Sequence, residues 1–142
     1  MTSLSQTTRS PDWDRRLARV TEKHLALPGE WGTADCGLTV SDAVLAVIGN
    51  DFLGEFRGSY TTEIGAARIM RKKGWETMED VLAAHFDKMP RLLARRGNLV
   101  IVERAGALCA GYICEYGAAV KTDSGLTFVP QTEIRSAWQV GV

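Results

Sequence analysis

Histidine is scarce in this chain: His24 and His85 are the only two among 142 residues. Cysteine is nearly as scarce, at Cys36, Cys109 and Cys114. So few ligands, at no zinc-like spacing, leave little to build a metal site, and no metal or cofactor is expected. An odd cysteine count without framework spacing excludes a disulfide-stapled secreted domain and suits a reducing cytoplasm. Net charge is lacking too: Lys+Arg and Asp+Glu both number 17, for a formal net charge of zero. That removes a general electrostatic grip on nucleic acid or anionic lipid and leaves only local patches. No apolar run approaches the length of a membrane span, and neither repeats nor low-complexity segments occur. Residues 1–9 lack the apolar stretch of a signal peptide. Their Ser, Thr and Gln cannot bury themselves, so Met1–Arg9 reads as a flexible arm, either frayed or ordered against a partner.

What is present suits one folded domain over residues 10–142, since 45% of the chain is hydrophobic and its length supports one substantial core. Ser10-Pro11-Asp12 is a helix start. Trp13, Leu17, Val20, His24 and Leu27 then recur on one helical face, ended by Pro28-Gly29. A second helix runs from Cys36 to Ile48 with Gly49 as its stop. Asp51 to Tyr60 is an irregular loop whose Phe52, Phe56 and Tyr60 are read as exposed. A third helix starts at Thr61 or Thr62 and ends at Gly74. It carries a basic cluster, Arg68, Arg71, Lys72 and Lys73, read as a solvated face or as a patch for an acidic partner. A fourth is capped by Thr77 and buries Met78, Val81, Leu82 and Phe86. Arg91 to Arg96 forms at most one more turn.

Periodicity changes after Gly97. Leu99–Val102 is a continuous apolar run, as in a strand buried on both faces. Strands follow over 107–115, 118–122, 126–129 and 136–140, with Asp123-Ser124-Gly125 as a hairpin turn. Helices first and an antiparallel meander second is an α+β layout, with helices on one face of the sheet.

The chemistry-bearing stretch is Trp31 to Val40, where a loop becomes an apolar helix. Asp35 is a good N-cap and leaves Cys36 on the first turn. Unpaired N–H groups and the positive end of the helix dipole favour a thiolate there. Cys36 shares its face with Val40, Ala43 and Val47, so it points toward the core. His24 and His85 read as core or boundary side chains.

Asp35-Cys36-Gly37-Leu38, then Gly97-Asn98-Leu99-Val100, then Cys109-Ala110-Gly111 resemble the NlpC-like branch of the papain-like cysteine peptidases over residues 30–140. Members carry Asp-Cys at the core helix, a Gly-Asp-Leu-Val-like strand and a strand beginning His-Val-Gly. The resemblance implies Cys36 at the nucleophile position, Cys109 where the histidine belongs, and Lys121 at the third, orienting position. A charged lysine cannot accept an imidazole proton, so two of three roles are lost. Cys36 and Cys109 are expected to face each other, as two small apolar side chains or as a redox pair.

With Phe56–Glu63, Gly125–Pro130 and Ala137–Val140 added, the chain is similar to small NlpC-like proteins that phages and prophages encode near their tail genes. That likeness implies a structural or assembly component of the tail tip, bound to hub and distal-tail proteins in a hetero-oligomeric assembly. It would be located in the virion and assembled in the host cytoplasm. The alternative is an active cell-wall peptide hydrolase using Cys36, with a base from His24, His85 or a partner. A third is a host binding module without a phage role.

Overall fold

Apolar positions recur every three to four residues in the first half and gather into short strand-length runs in the second, and the chain folds accordingly. The computed structural model describes residues 3–142. Four helices come first: α1 (Trp13–His24), α2 (Cys36–Ile48), α3 (Glu63–Lys72) and α4 (Met78–Ala83). Six strands follow: β1 (Lys88–Met89), β2 (Leu99–Arg104), β3 (Ala107–Cys114), β4 (Gly117–Thr122), β5 (Gly125–Val129) and β6 (Ile134–Trp138). They form one antiparallel sheet in the order β1-β6-β2-β3-β4-β5. The architecture is α+β, as expected.

Helix α2 is the central element. Asp35 caps it, Gly49 ends it in the left-handed conformation that glycine adopts without strain, and Val40, Val44 and Val47 are fully buried. These side chains and Leu17 of α1 meet Leu99, Ile101, Ala110, Tyr112 and Trp138 on the inner face of the sheet. Tyr112 is wholly buried and satisfies its hydroxyl on Thr21 Oγ1 of α1 at 2.8 Å. The outer face is also buried, through Val100, Val102, Ala118, Val120, Val129, Ile134 and Ala137. Leu99–Val102 is thus covered on both faces, as its continuous apolar run predicts. Helix α3 contrasts with α2: none of its residues is fully buried.

Several expectations need correction. The arm predicted over Met1–Arg9 is fastened to the body from Ser3 onward; Met1 and Thr2 lie outside the described residues. Ser5 is fully buried and its hydroxyl donates to Gln139 O at 2.6 Å. Arg9 donates to the carbonyls of Val140 and Arg96 and stacks on Trp13. Polar composition missed this because the contacts are with loop segments some 80 to 130 residues away in sequence. The first helix starts at Trp13, after Asp12, and stops at His24, leaving Leu27 exposed. The last strand begins at Ile134, and β1 was not foreseen.

A polar network ties α1, α2 and the following loop together. His24 is buried and donates from Nε2 to Asp42 Oδ2 at 2.7 Å. Arg57 donates to Asp42 Oδ1 at 2.7 Å and grips both oxygens of Asp51. Ser41 donates to Asp51 at 2.6 Å. Burial alone would raise Asp42, but the His24 hydrogen bond and the charges of Arg57 and Lys23 outweigh it and hold the carboxyl at about 2. A carboxyl held below its ordinary 3.8 stabilises the fold above that pH, and the contribution vanishes as pH falls through about 2. The gap is worth about 2 kcal/mol. Urea midpoints measured between pH 5 and 2 are expected to fall less steeply in Asp42→Asn than in the wild type, from a lower starting stability.

Candidate functional site

The loop before α2 is built so that Asp35 can serve three donors at once. Its Oδ1 accepts the Leu38 N–H at 2.9 Å, which is the helix cap. Its Oδ2 accepts the Gly32 N–H at 3.0 Å and the Tyr60 hydroxyl at 2.6 Å. Gly32 is required here: it lies at φ +87°, and a Cβ would run into the Tyr60 carbonyl. Burial, then the bond to Asp35, drives the Tyr60 hydroxyl pKa well above its ordinary value. Tyr60 is therefore a fixed donor and not a proton shuttle.

Cys36 follows on the first turn, half-buried. Two grooves meet at it. One, of about 500 Å3, is apolar and runs beneath α3, with Trp31, Phe56, Tyr60, Met70, Trp75 and Met78 in its wall. The other, of about 540 Å3, is more polar and is bounded by Glu30, Trp31, Cys109, Lys121 and Asp123. The aromatic loop expected to be exposed is turned inward. Phe52 sits edge-on to His85 and Phe86, Phe56 faces Trp75, and Tyr60 is tied to Asp35. The exposed aromatic at this site is Trp31, at 42%.

The structure brings Cys36, Cys109 and Lys121 to one cleft, but gives none of them the job of a base. Cys109 packs against the outer cluster of the sheet, on the face opposite Ala110 and Tyr112, and also lines the polar groove beside Cys36. Lys121 is buried, and its ammonium donates to Leu27 O at 2.6 Å and His24 O at 3.2 Å. It thereby satisfies carbonyls at the C-terminal end of α1, a position suited to a cation. Neither histidine lines either groove at Cys36. His24 is held by Asp42, and His85 donates from Nδ1 to the Val81 carbonyl at 2.7 Å.

The thiol itself is pushed the opposite way from the helix-start expectation. Desolvation, with smaller contributions from Cys109 and the Asp35 carboxylate, raises Cys36 to about 11. The backbone N–H groups of Ala110 and Gly37 act in the other direction and do not compensate. A thiol that ionises near 11, with no imidazole beside it, is a poor nucleophile at neutral pH. The site can hold an apolar group against Trp31 and the thiol, and no histidine lines it to carry a proton to a leaving group.

Sequence reasoning missed Tyr60 as part of this site and gave Trp31, at the head of the chemistry-bearing stretch, no role. Trp31 was within reach, since an exposed-loop tryptophan just before a capped helix has few other partners. Among the described residues no cluster of three or more His, Cys, Asp or Glu could hold a metal ion. No helix there is long and apolar enough to cross a membrane. No curated protein and no solved structure matches the chain. One family does match, over residues 8–140, and carries the description Domain of unknown function (DUF6950). A match over nearly the whole length places the chain in a family: it belongs to DUF6950.

Proposed function

We propose that this chain is a catalytically silent NlpC-like, papain-like domain that serves as a structural or assembly component of a phage tail tip. The observation that carries the silent part is the setting of Cys36: a desolvated thiol on a helix start, no imidazole in its cleft, and Lys121 committed to α1. The tail-tip placement is supported by the likeness of Asp35-Cys36, Phe56–Glu63, the Gly97 strand and Ala137–Val140 to tail-encoded proteins. In that setting the domain acts by shape. It would bind hub or distal-tail proteins in a hetero-oligomeric assembly, without nucleic acid or a membrane span, and be carried into the virion after assembly in the host cytoplasm.

The rival is a cell-wall peptide hydrolase with Cys36 as nucleophile, and the two grooves meeting at the sulfur favour it. It has no histidine in either groove at the sulfur to serve as its base. Two measurements separate them. Co-expression with the neighbouring tail proteins is expected to give a stable complex by size exclusion; a chain that stays monomeric beside them overturns the assembly role. Peptidoglycan digestion is expected to give no product that disappears in Cys36→Ser; such a product establishes the hydrolase.

A further inference from the structure

The segment Lys88–Gly97 lies away from Cys36 and serves neither groove there. It contains Lys88, Arg91, Arg95 and Arg96, with Asp87 as the one acid beside them in sequence and Glu133 on the neighbouring turn over residues 131–133. Within it a short 3-10 turn, Arg91–Leu93, presents Leu92 at 65% exposure and Leu93 at 62%. Two adjacent leucines held in water on a short turn contribute nothing to the core. The turn is nevertheless fixed. The Gln131 side-chain amide donates to the carbonyls of Arg91, Leu92 and Ala94, and Arg91 donates to Ile134 O at 3.2 Å. Its ordering cost is therefore met before any partner arrives.

Charge surrounds the leucines. Arg9, a fifth cation beside the four of the segment, faces Arg95 across a groove of about 940 Å3 whose walls also include Met89 and Leu93. Arg9 and Arg96 stack on Trp13, and Lys88 lies over Trp138. Among the described residues none of these five cations has a carboxylate within 4.0 Å. In a chain of zero net charge, this is a concentration of one sign that no carboxylate pairs.

We propose that the Lys88–Gly97 turn is a docking surface for a partner protein segment that is acidic and carries apolar anchors. The leucines would enter the partner's apolar contact while the arginines meet its carboxylates, an arrangement in which Arg gives orientation as well as charge. A second copy is disfavoured, because a two-fold contact through this patch would set arginines against arginines. Single-stranded nucleic acid would suit the cations, but the Lys88–Gly97 segment has no aromatic ring to stack on and Trp138 beneath Lys88 is buried. The proposal goes beyond the tail-tip reading and stands on a different face, so it survives if Cys36 proves active.

The test titrates the full chain, by fluorescence anisotropy, against a fluorescein-labelled peptide of glutamates flanking two adjacent leucines. Comparison probes are the same peptide with lysine for glutamate, a labelled oligothymidylate, and phosphatidylglycerol vesicles. The acidic peptide is expected to bind tightest and to weaken as salt is raised. Leu92→Ser with Leu93→Ser, and separately Arg95→Glu, are expected to weaken it about tenfold or more. Thermal midpoints should stay unchanged, since Leu92, Leu93 and Arg95 are exposed. Absent binding, binding indifferent to both variants, tighter binding of the oligonucleotide or the vesicles, or a dimer that the leucine variants dissolve would each overturn the proposal.

Discussion

Iodoacetamide will label Cys36 about tenfold more slowly at neutral pH than an ordinary protein thiol. The magnitude follows from two opposing effects. With the thiol at about 11 in place of 9.0, the ionised fraction at pH 7 is about 100-fold smaller, and only the thiolate reacts. A more basic thiolate is intrinsically more nucleophilic, which returns roughly eightfold of that loss. The rate should then climb about tenfold per pH unit, without a plateau below pH 9. Intact mass in a background carrying Cys109→Ala and Cys114→Ala isolates the one sulfur. Fast labelling at pH 6 that levels off near neutrality would mean a base or cation acts on Cys36 after all, and the silent reading would fall with it.

Why the sequence pointed the other way is instructive. Helix start, N-cap and dipole are local features, legible in Asp35-Cys36-Gly37, and they argue for a thiolate. Desolvation depends on what the rest of the chain places over the sulfur, and the strand segment Cys109–Ala110 lies more than 70 residues away. Local features generally were legible: the Asp35 and Thr77 caps, the Gly49 stop and the doubly buried Leu99–Val102. Long-range polar contacts were not. Nothing near Lys121 announces that its ammonium ends on α1, and nothing near Arg9 announces the Val140 and Arg96 carbonyls. The two-residue β1 is too short to have a period at all.

The largest stability effect is expected at Asp35. Asp35→Ala removes the α2 cap, costing about 1 kcal/mol. It also strands the Gly32 N–H and the Tyr60 hydroxyl, at about 1–3 kcal/mol each where water cannot replace the carboxylate. The sum is about 3–7 kcal/mol, a large share of the stability of a domain this size. Urea unfolding should show a lower midpoint with an unchanged slope. Asp35→Asn keeps one acceptor oxygen and should lose less, and Tyr60→Phe should lose least, because it removes a donor and leaves the Gly32 and Leu38 bonds in place. The order Ala, Asn, Phe distinguishes a shared carboxylate hub from a simple helix cap. A cap alone would leave Tyr60→Phe at wild-type stability and Asp35→Ala within about 1 kcal/mol of it. If the larger losses appear while Cys36 remains inert, the Asp-Cys pair has a structural explanation: the aspartate holds α2 and the loop to Tyr60 together, and the cysteine fills the space that results.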